Sequence, residues 1–238
     1  MYAINIMTKI EKHLIWDLPL RIFHWLLVLS IAAAWYTSEQ DNGLIEYHLL
    51  TGYFVLGLIT FRIVWGFLGT THSKFINFFP SLNKVIIYIQ SFKQAKPLNY
   101  PGHNPLGSLM VFFMLTIILL QAVSGLFMND DIFTSGPYYG SVDTELESVF
   151  VFIHRNGFNL ILAAILFHIC AVIFYERVKK QALVLSMLTG KKSAKLVDKK
   201  DSITHSKIVL AILVSIIAAG FIYWLVVINA PIIEEYYY

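Results

Sequence analysis

Four of the eight histidines lie inside strongly apolar runs: His24, His48, His154 and His168. An ionisable side chain is expensive in such surroundings, so each is a functional candidate. His154 and His168 bound the stretch HRNGFNLILAAILFH. On a helix, 14 residues advance about 21 Å and fall roughly 40° short of four whole turns. The two imidazoles therefore share a face, near opposite ends of one membrane-length helix. Three chemistries suit such groups: axial ligation of haem iron, a proton or substrate path in a transporter, and zinc binding.

The chain that must position them is apolar throughout. Of 238 residues, 57% are hydrophobic and 14% charged, against about 25% charged in a soluble domain. Five runs approach the roughly 20 residues that cross a bilayer: 18–36, 46–67, 107–127, 149–175 and 208–227. The expected fold class is an all-α integral membrane protein, a four-helix transmembrane bundle with a fifth C-terminal helix. Residues 1–190 read as the bundle, and 191–238 as a lysine-rich connection plus the fifth helix. The single cysteine, Cys170, excludes internal disulfides and four-cysteine iron–sulfur sites. No C-x-x-C-H occurs, which excludes covalent c-type haem.

Lysine and arginine set the orientation. Lys9, Lys12 and Arg21 open the chain. Lys74, Lys84, Lys93 and Lys96 follow the second run. Nine more, from Arg177 to Lys207, lie between the fourth and fifth runs. The other two connections carry only acids: Glu39 and Asp41, then Asp130, Asp131, Asp143, Glu145 and Glu147. The asymmetry predicts an N-terminus inside and a C-terminus outside, in a bacterial inner membrane. The net charge of +3 thus reports topology and calls for no nucleic acid. Residues 1–34 also resemble a signal peptide ending in Ala32-Ala33-Ala34, but Phe23, His24 and Trp25 are odd in a segment to be discarded.

With directions assigned, the histidines sort by depth. The first helix runs outward and the second inward. His24 and His168 fall at the inner level, His48 and His154 at the outer. Four ligands at two depths cannot converge on one tetrahedral zinc. Two levels of two imidazoles, each from different helices, match two bis-histidine haems. A transporter path remains the alternative, although no inverted repeat or broken-helix pair is visible.

Neighbouring residues extend the candidate site. Gly52, Gly157 and Ala164 share the faces of the histidines and would make room for a macrocycle. Arg62 lies 14 residues after His48, so it faces the same way at the inner level. It is a candidate partner for a haem propionate or a quinone oxygen. Arg155 is its outer counterpart, and Arg21 reads as snorkelling inward. Tyr47, Thr51, Asn156 and Asn159 are candidate hydrogen-bond partners of the imidazoles. His13, His72, His103 and His205 read as solvated or interfacial. Trp16, Trp35, Tyr36, Trp65, Trp224 and 236–238 read as an aromatic belt. The short apolar stretches 82–92 and 182–188 read as interfacial segments.

Four motifs in order carry a family likeness: WDLPLRIFHW at 16–25, YHLLTGYFVLGLITFRIVWGFLG at 47–69, PGHNPLGSLMVF at 101–112, and the two-histidine fourth helix. Together, over about 14–190, they resemble the prokaryotic cytochrome b561 family. The likeness is strongest to its branch of b-type subunits of nickel–iron hydrogenases and thiosulfate reductases. The resemblance implies two b haems with His24, His48, His154 and His168 as axial ligands. It also implies electron transfer between the quinone pool and a partner redox protein: a hydrogenase, a reductase or a c-type cytochrome. A second copy of the chain is a further candidate partner. The fifth helix departs from the minimal four-helix members.

In that reading the irons stand roughly 20 Å apart by the helix rise. Bis-histidine ligation leaves no open iron position, which disfavours oxygen chemistry. An electron-transfer subunit is therefore expected rather than a stand-alone enzyme. The alternatives are a self-contained quinol oxidoreductase acting on a small acceptor such as superoxide, and a haem-free proton-coupled transporter.

Overall fold

The computed structural model describes residues 11–38, 43–94, 98–129 and 134–231. Lys9, Lys96, Glu39, Asp41, Asp130, Asp131 and 236–238, used above, lie outside the described residues.

Helix α1 (Leu18–Thr37) starts at Asp17, whose carboxylate accepts the Leu20 amide, with Pro19 in the first turn. Helix α2 (Ile45–Leu68) follows, then a short α3 (Phe75–Phe78) and α4 (Leu82–Ser91). Helix α5 (Pro105–Gly125) begins two residues earlier than expected, because Asn104 caps it by accepting the Gly107 amide. Helix α6 (Thr144–Arg177) begins five residues early for the same reason. Asp143 accepts the Leu146 amide, and Glu145 and Glu147 favour the positive helix start. Helix α7 (Leu183–Thr189) ends on Gly190 at φ +80. Helix α8 (Ile208–Tyr223) continues into a π-helical turn over Trp224–Ile228. Among the described residues five helices are long and apolar enough to cross a membrane.

The helices pack in the order α1 on α2, α2 on α5 and α5 on α6. Helices α1 and α6 scarcely touch. Helix α8 packs mainly on α2, and Lys207 anchors its start by donating to the Leu68 and Gly69 carbonyls. That places a cation on the negative end of α2.

One end of the bundle carries the lysine-rich connections and is here called the basic end; the other is the acidic end. Strand β1 (Lys12–Leu14) pairs antiparallel with β2 (Lys191–Ser193) at the basic end. Sequence reading gave no hint of this clasp. Asp17, fully buried, is its neighbour. Besides capping α1, it accepts from Trp65 Nε1 (3.2 Å), Thr70 Oγ1 (2.5 Å) and Ser73 Oγ. Trp65 and Trp16 are therefore core residues and not part of a belt. Trp35, Tyr36 and Trp224 remain exposed, as a belt requires.

Candidate functional site

The four helical histidines stand in two pairs where α6 makes few contacts with α1 and α2, His24 of α1 and His48 of α2 each facing a histidine of α6. His24 and His168 have ring centroids 6.5 Å apart, and His48 and His154 6.1 Å apart. The structure therefore brings together the same partners that depth alone selects. A metal–imidazole bond is about 2 Å and a ring centre lies roughly 1 Å further, so two rings facing one metal have centroids about 6 Å apart. Both pairs fit one ion each. Among the described residues no group of three or more His, Cys, Asp or Glu gathers as a metal site. A metal held by either pair would take its remaining ligands from outside these side chains, and a four-nitrogen macrocycle has that chemistry.

The acidic-end pair is tethered by the main chain. His48 Nδ1 donates to the Ala34 carbonyl at 2.8 Å, and His154 Nδ1 to the Gln121 carbonyl at 3.0 Å. Ser124 Oγ lies 3.3 Å from the same Nδ1, and Gln121 Nε2 returns a bond to the His154 carbonyl at 2.9 Å. With Nδ1 committed as donor, each Nε2 is left as the lone-pair nitrogen. Helix α5 thus supports the site without contributing a ligand. Gln121, Ser124 and Gly125 were missed from sequence because they sit on the helix that lacks a histidine. A Cβ on Gly125 would lie 2.9 Å from His154 Cε1. Tyr47, Thr51, Asn156 and Asn159 make no such bond among the described residues; Asn156 donates to Phe152 on its own helix.

Of the small residues expected to leave room, Gly52 does: a Cβ there would meet nothing within 4 Å. Gly157 serves a different end. A Cβ would strike Gln121 Oε1 at 2.4 Å, so this glycine admits α5. Ala164 is buried in the main core cluster.

The basic-end pair has a different surround. His24 packs edge-on against Trp25, and its Nδ1 is buried without a partner. Arg62 is only 2% exposed, and both terminal guanidinium nitrogens lack a partner. The group lies 4.5 Å over the Phe75 ring. The buried Asp17 carboxylate acts on this cation electrostatically but makes no hydrogen bond to it, and a buried charge without full hydrogen bonding is unfavourable. An anionic group arriving from outside the chain would supply the acceptors that its two terminal nitrogens lack. Arg155 is exposed and takes no part in the described contacts at either pair.

His103 is not solvated as expected. It lies 4.7 Å from Trp16 and 4.5 Å from Phe78, ring centre to ring centre. Its Nδ1 is buried without a partner. Burial pushes its pKa down to about 3, helped by nearby Arg62, Lys192, His72 and His24. The ring is therefore neutral. His13 is buried too, and His72 Nε2 bonds the Asp201 carbonyl at 2.7 Å. Arg21, half-buried at the basic end, donates to the Leu188 carbonyl at 2.5 Å.

Comparison with known proteins bears on this arrangement. Residues 15–190 match the family model described as prokaryotic cytochrome b561. The chain is 23% identical to a probable Ni/Fe-hydrogenase B-type cytochrome subunit of Rhizobium leguminosarum bv. viciae, over 79% of this chain and 90% of that one. A protein of the same description from Cupriavidus necator is 24% identical, over 79% and 89%. The probable Ni/Fe-hydrogenase 1 B-type cytochrome subunit of Escherichia coli K12 is 23% identical, over 79% and 93%. No solved structure matches the chain.

Proposed function

The chain belongs to the prokaryotic cytochrome b561 family, and from that premise we propose that it is a di-haem b-type membrane cytochrome passing electrons between quinone and a partner redox protein. The observation that carries the reading is the pair of histidine couples, with centroids 6.5 Å and 6.1 Å apart. His24 with His168 would hold one haem b, and His48 with His154 the other. Each haem supplies a one-electron couple; the chain supplies the ligands and the surroundings that set its potential.

At the acidic end, the Ala34 and Gln121 carbonyls orient His48 and His154 and increase their basicity. At the basic end, Arg62 offers its two free nitrogens to a propionate. Gly52 keeps the α2 surface open beside His48. Arg155, exposed next to His154, is assigned to a propionate or a lipid headgroup at the acidic end. A quinone site is supported by an apolar cleft of about 680 Å³ between α1, α2 and α8, lined by Phe23, Tyr53, Phe61 and Ser215 among others. Its size suits a small-molecule ligand.

The names of the relatives point to a nickel–iron hydrogenase as the partner. The lysine asymmetry supports an orientation with the basic end in the cytoplasm. The part of the chain after residue 190, with α8, is read as an addition to the four-helix unit. A pyridine haemochrome assay on the detergent-purified chain tests the core of the proposal. Two b haems per chain are expected, and none after expression with ample haem would overturn it.

A further inference from the structure

The basic end carries a second pocket, separate from the histidine pairs, of about 130 Å³. That is the space of roughly four water molecules, the scale of a phosphodiester. Four lysines line it: Lys12, Lys180, Lys191 and Lys192, with Asn99 and Gln181. They come from three places: Lys12 on β1, opposite Ser193; Lys191 and Lys192 on β2; and Lys180 at the α6–α7 junction. Among the described residues the only ion pair is Lys200–Asp198, so none of the four is ion-paired; the nearby Glu176 carboxylate is engaged by the Val184 amide at 2.9 Å.

The pocket is built and not a chance gathering on a surface. Lys192 is buried, and its Nζ donates to the Pro101 carbonyl at 2.7 Å. Gln181 Nε2 donates to Asn99 Oδ1 at 3.1 Å, joining the α6–α7 junction to the segment before α5. Lys180 holds φ +54, a left-handed backbone that lysine seldom adopts. Beside the pocket, α7 turns Val184, Leu185 and Leu188 outward, between 41% and 55% exposed. It follows directly on the end of a membrane-length helix, at the level where headgroups lie.

We infer that this pocket binds the phosphate of an anionic phospholipid whose acyl chains lie along the apolar face of α7. Charge complementarity selects a net anion, and the adjoining apolar helix selects a lipid over free phosphate. Basic pockets at the cytoplasmic ends of membrane helices are suited to such headgroups.

Native mass spectrometry of the full chain in detergent tests this, with phosphatidylglycerol, phosphatidylcholine and inorganic phosphate as probes. Phosphatidylglycerol should be retained over phosphatidylcholine. The Lys180→Gln/Lys191→Gln variant should weaken its retention roughly tenfold. Lys199→Gln/Lys200→Gln removes the same charge from the same end but outside the pocket, and should retain the lipid. Equal retention of both lipids overturns the inference. So does equal weakening by the control variant, which would mean a diffuse basic surface. Displacement by millimolar inorganic phosphate alone would make this a free-anion site and also overturns it. Should the double variant not fold, Lys191→Gln alone is read the same way.

Discussion

His24 and His168 face each other across the gap between α1 and α6 at 6.5 Å, and the His24 Nδ1 has no partner there. The His48–His154 pair, at 6.1 Å, has both Nδ1 atoms held by main-chain carbonyls. One end of the site is thus oriented by the protein before anything binds, and the other is not. The two proposed haems should differ in how they load and in what they tolerate.

Replacing either member of a pair by alanine should remove the same haem. His24→Ala and His168→Ala should give one single-haem spectrum, and His48→Ala and His154→Ala the other. Each double variant within a pair should look like its single variants. Low-temperature optical spectra of the purified proteins check this. Matching spectra from His24→Ala and His154→Ala would break the assignment.

Gly125→Ala tests the support from α5. The new Cβ would sit 2.9 Å from His154 Cε1, closer than carbon atoms tolerate. Crowding of this kind costs about 1–3 kcal/mol. The expected result is reduced occupancy or a shifted potential for the His48–His154 haem, with the other unchanged. A change confined to the His24–His168 haem would show that α5 does not set the acidic-end geometry.

Arg62→Met should act in opposite directions on the two forms of the protein. Without cofactor, removing a buried guanidinium that has no hydrogen-bond partner at either terminal nitrogen should raise thermal stability. With cofactor, losing a nearby positive charge should lower the midpoint potential of one haem. A unit charge at this range is worth on the order of 1–2 kcal/mol, or roughly 40–90 mV for a one-electron couple. Arg62→Lys should restore part of the potential. Redox titration and melting curves report the two effects separately; an unchanged potential would remove Arg62 from the site.

Much of this was legible in the sequence because membrane-spanning helices obey few rules. The five apolar runs gave the five long helices to within a few residues, since length and apolarity suffice to define them. The depth pairing of the histidines followed from helix rise and the lysine asymmetry. What was hidden depends on contacts far apart in the chain. Asp17 reads as a helix cap, and nothing local says that Trp65, Thr70 and Ser73 also bond to it. Three-residue strands at Lys12–Leu14 and Lys191–Ser193 are too short for any periodicity to show. Gly157 looked like room for a cofactor because the sequence cannot show Gln121 arriving from α5.

The basic end also carries a titration that sets how stability responds to pH. Burial lowers the Lys192 pKa from 10.5 to about 8. Below pH 8 this lysine is charged both folded and unfolded, so the burial penalty is fully present and constant. Between pH 8 and 10.5 the unfolded chain holds a proton that the folded chain has released. Stability must therefore rise with pH across that window, by on the order of 3 kcal/mol, and flatten above it. Lys192→Met removes the penalty, so the variant should lack this rise. Melting curves from pH 7 to 10.5 on both proteins make the comparison, with the difference between them as the readout. Identical slopes would mean that Lys192 is hydrated in solution and that β2 does not seal it against Trp16.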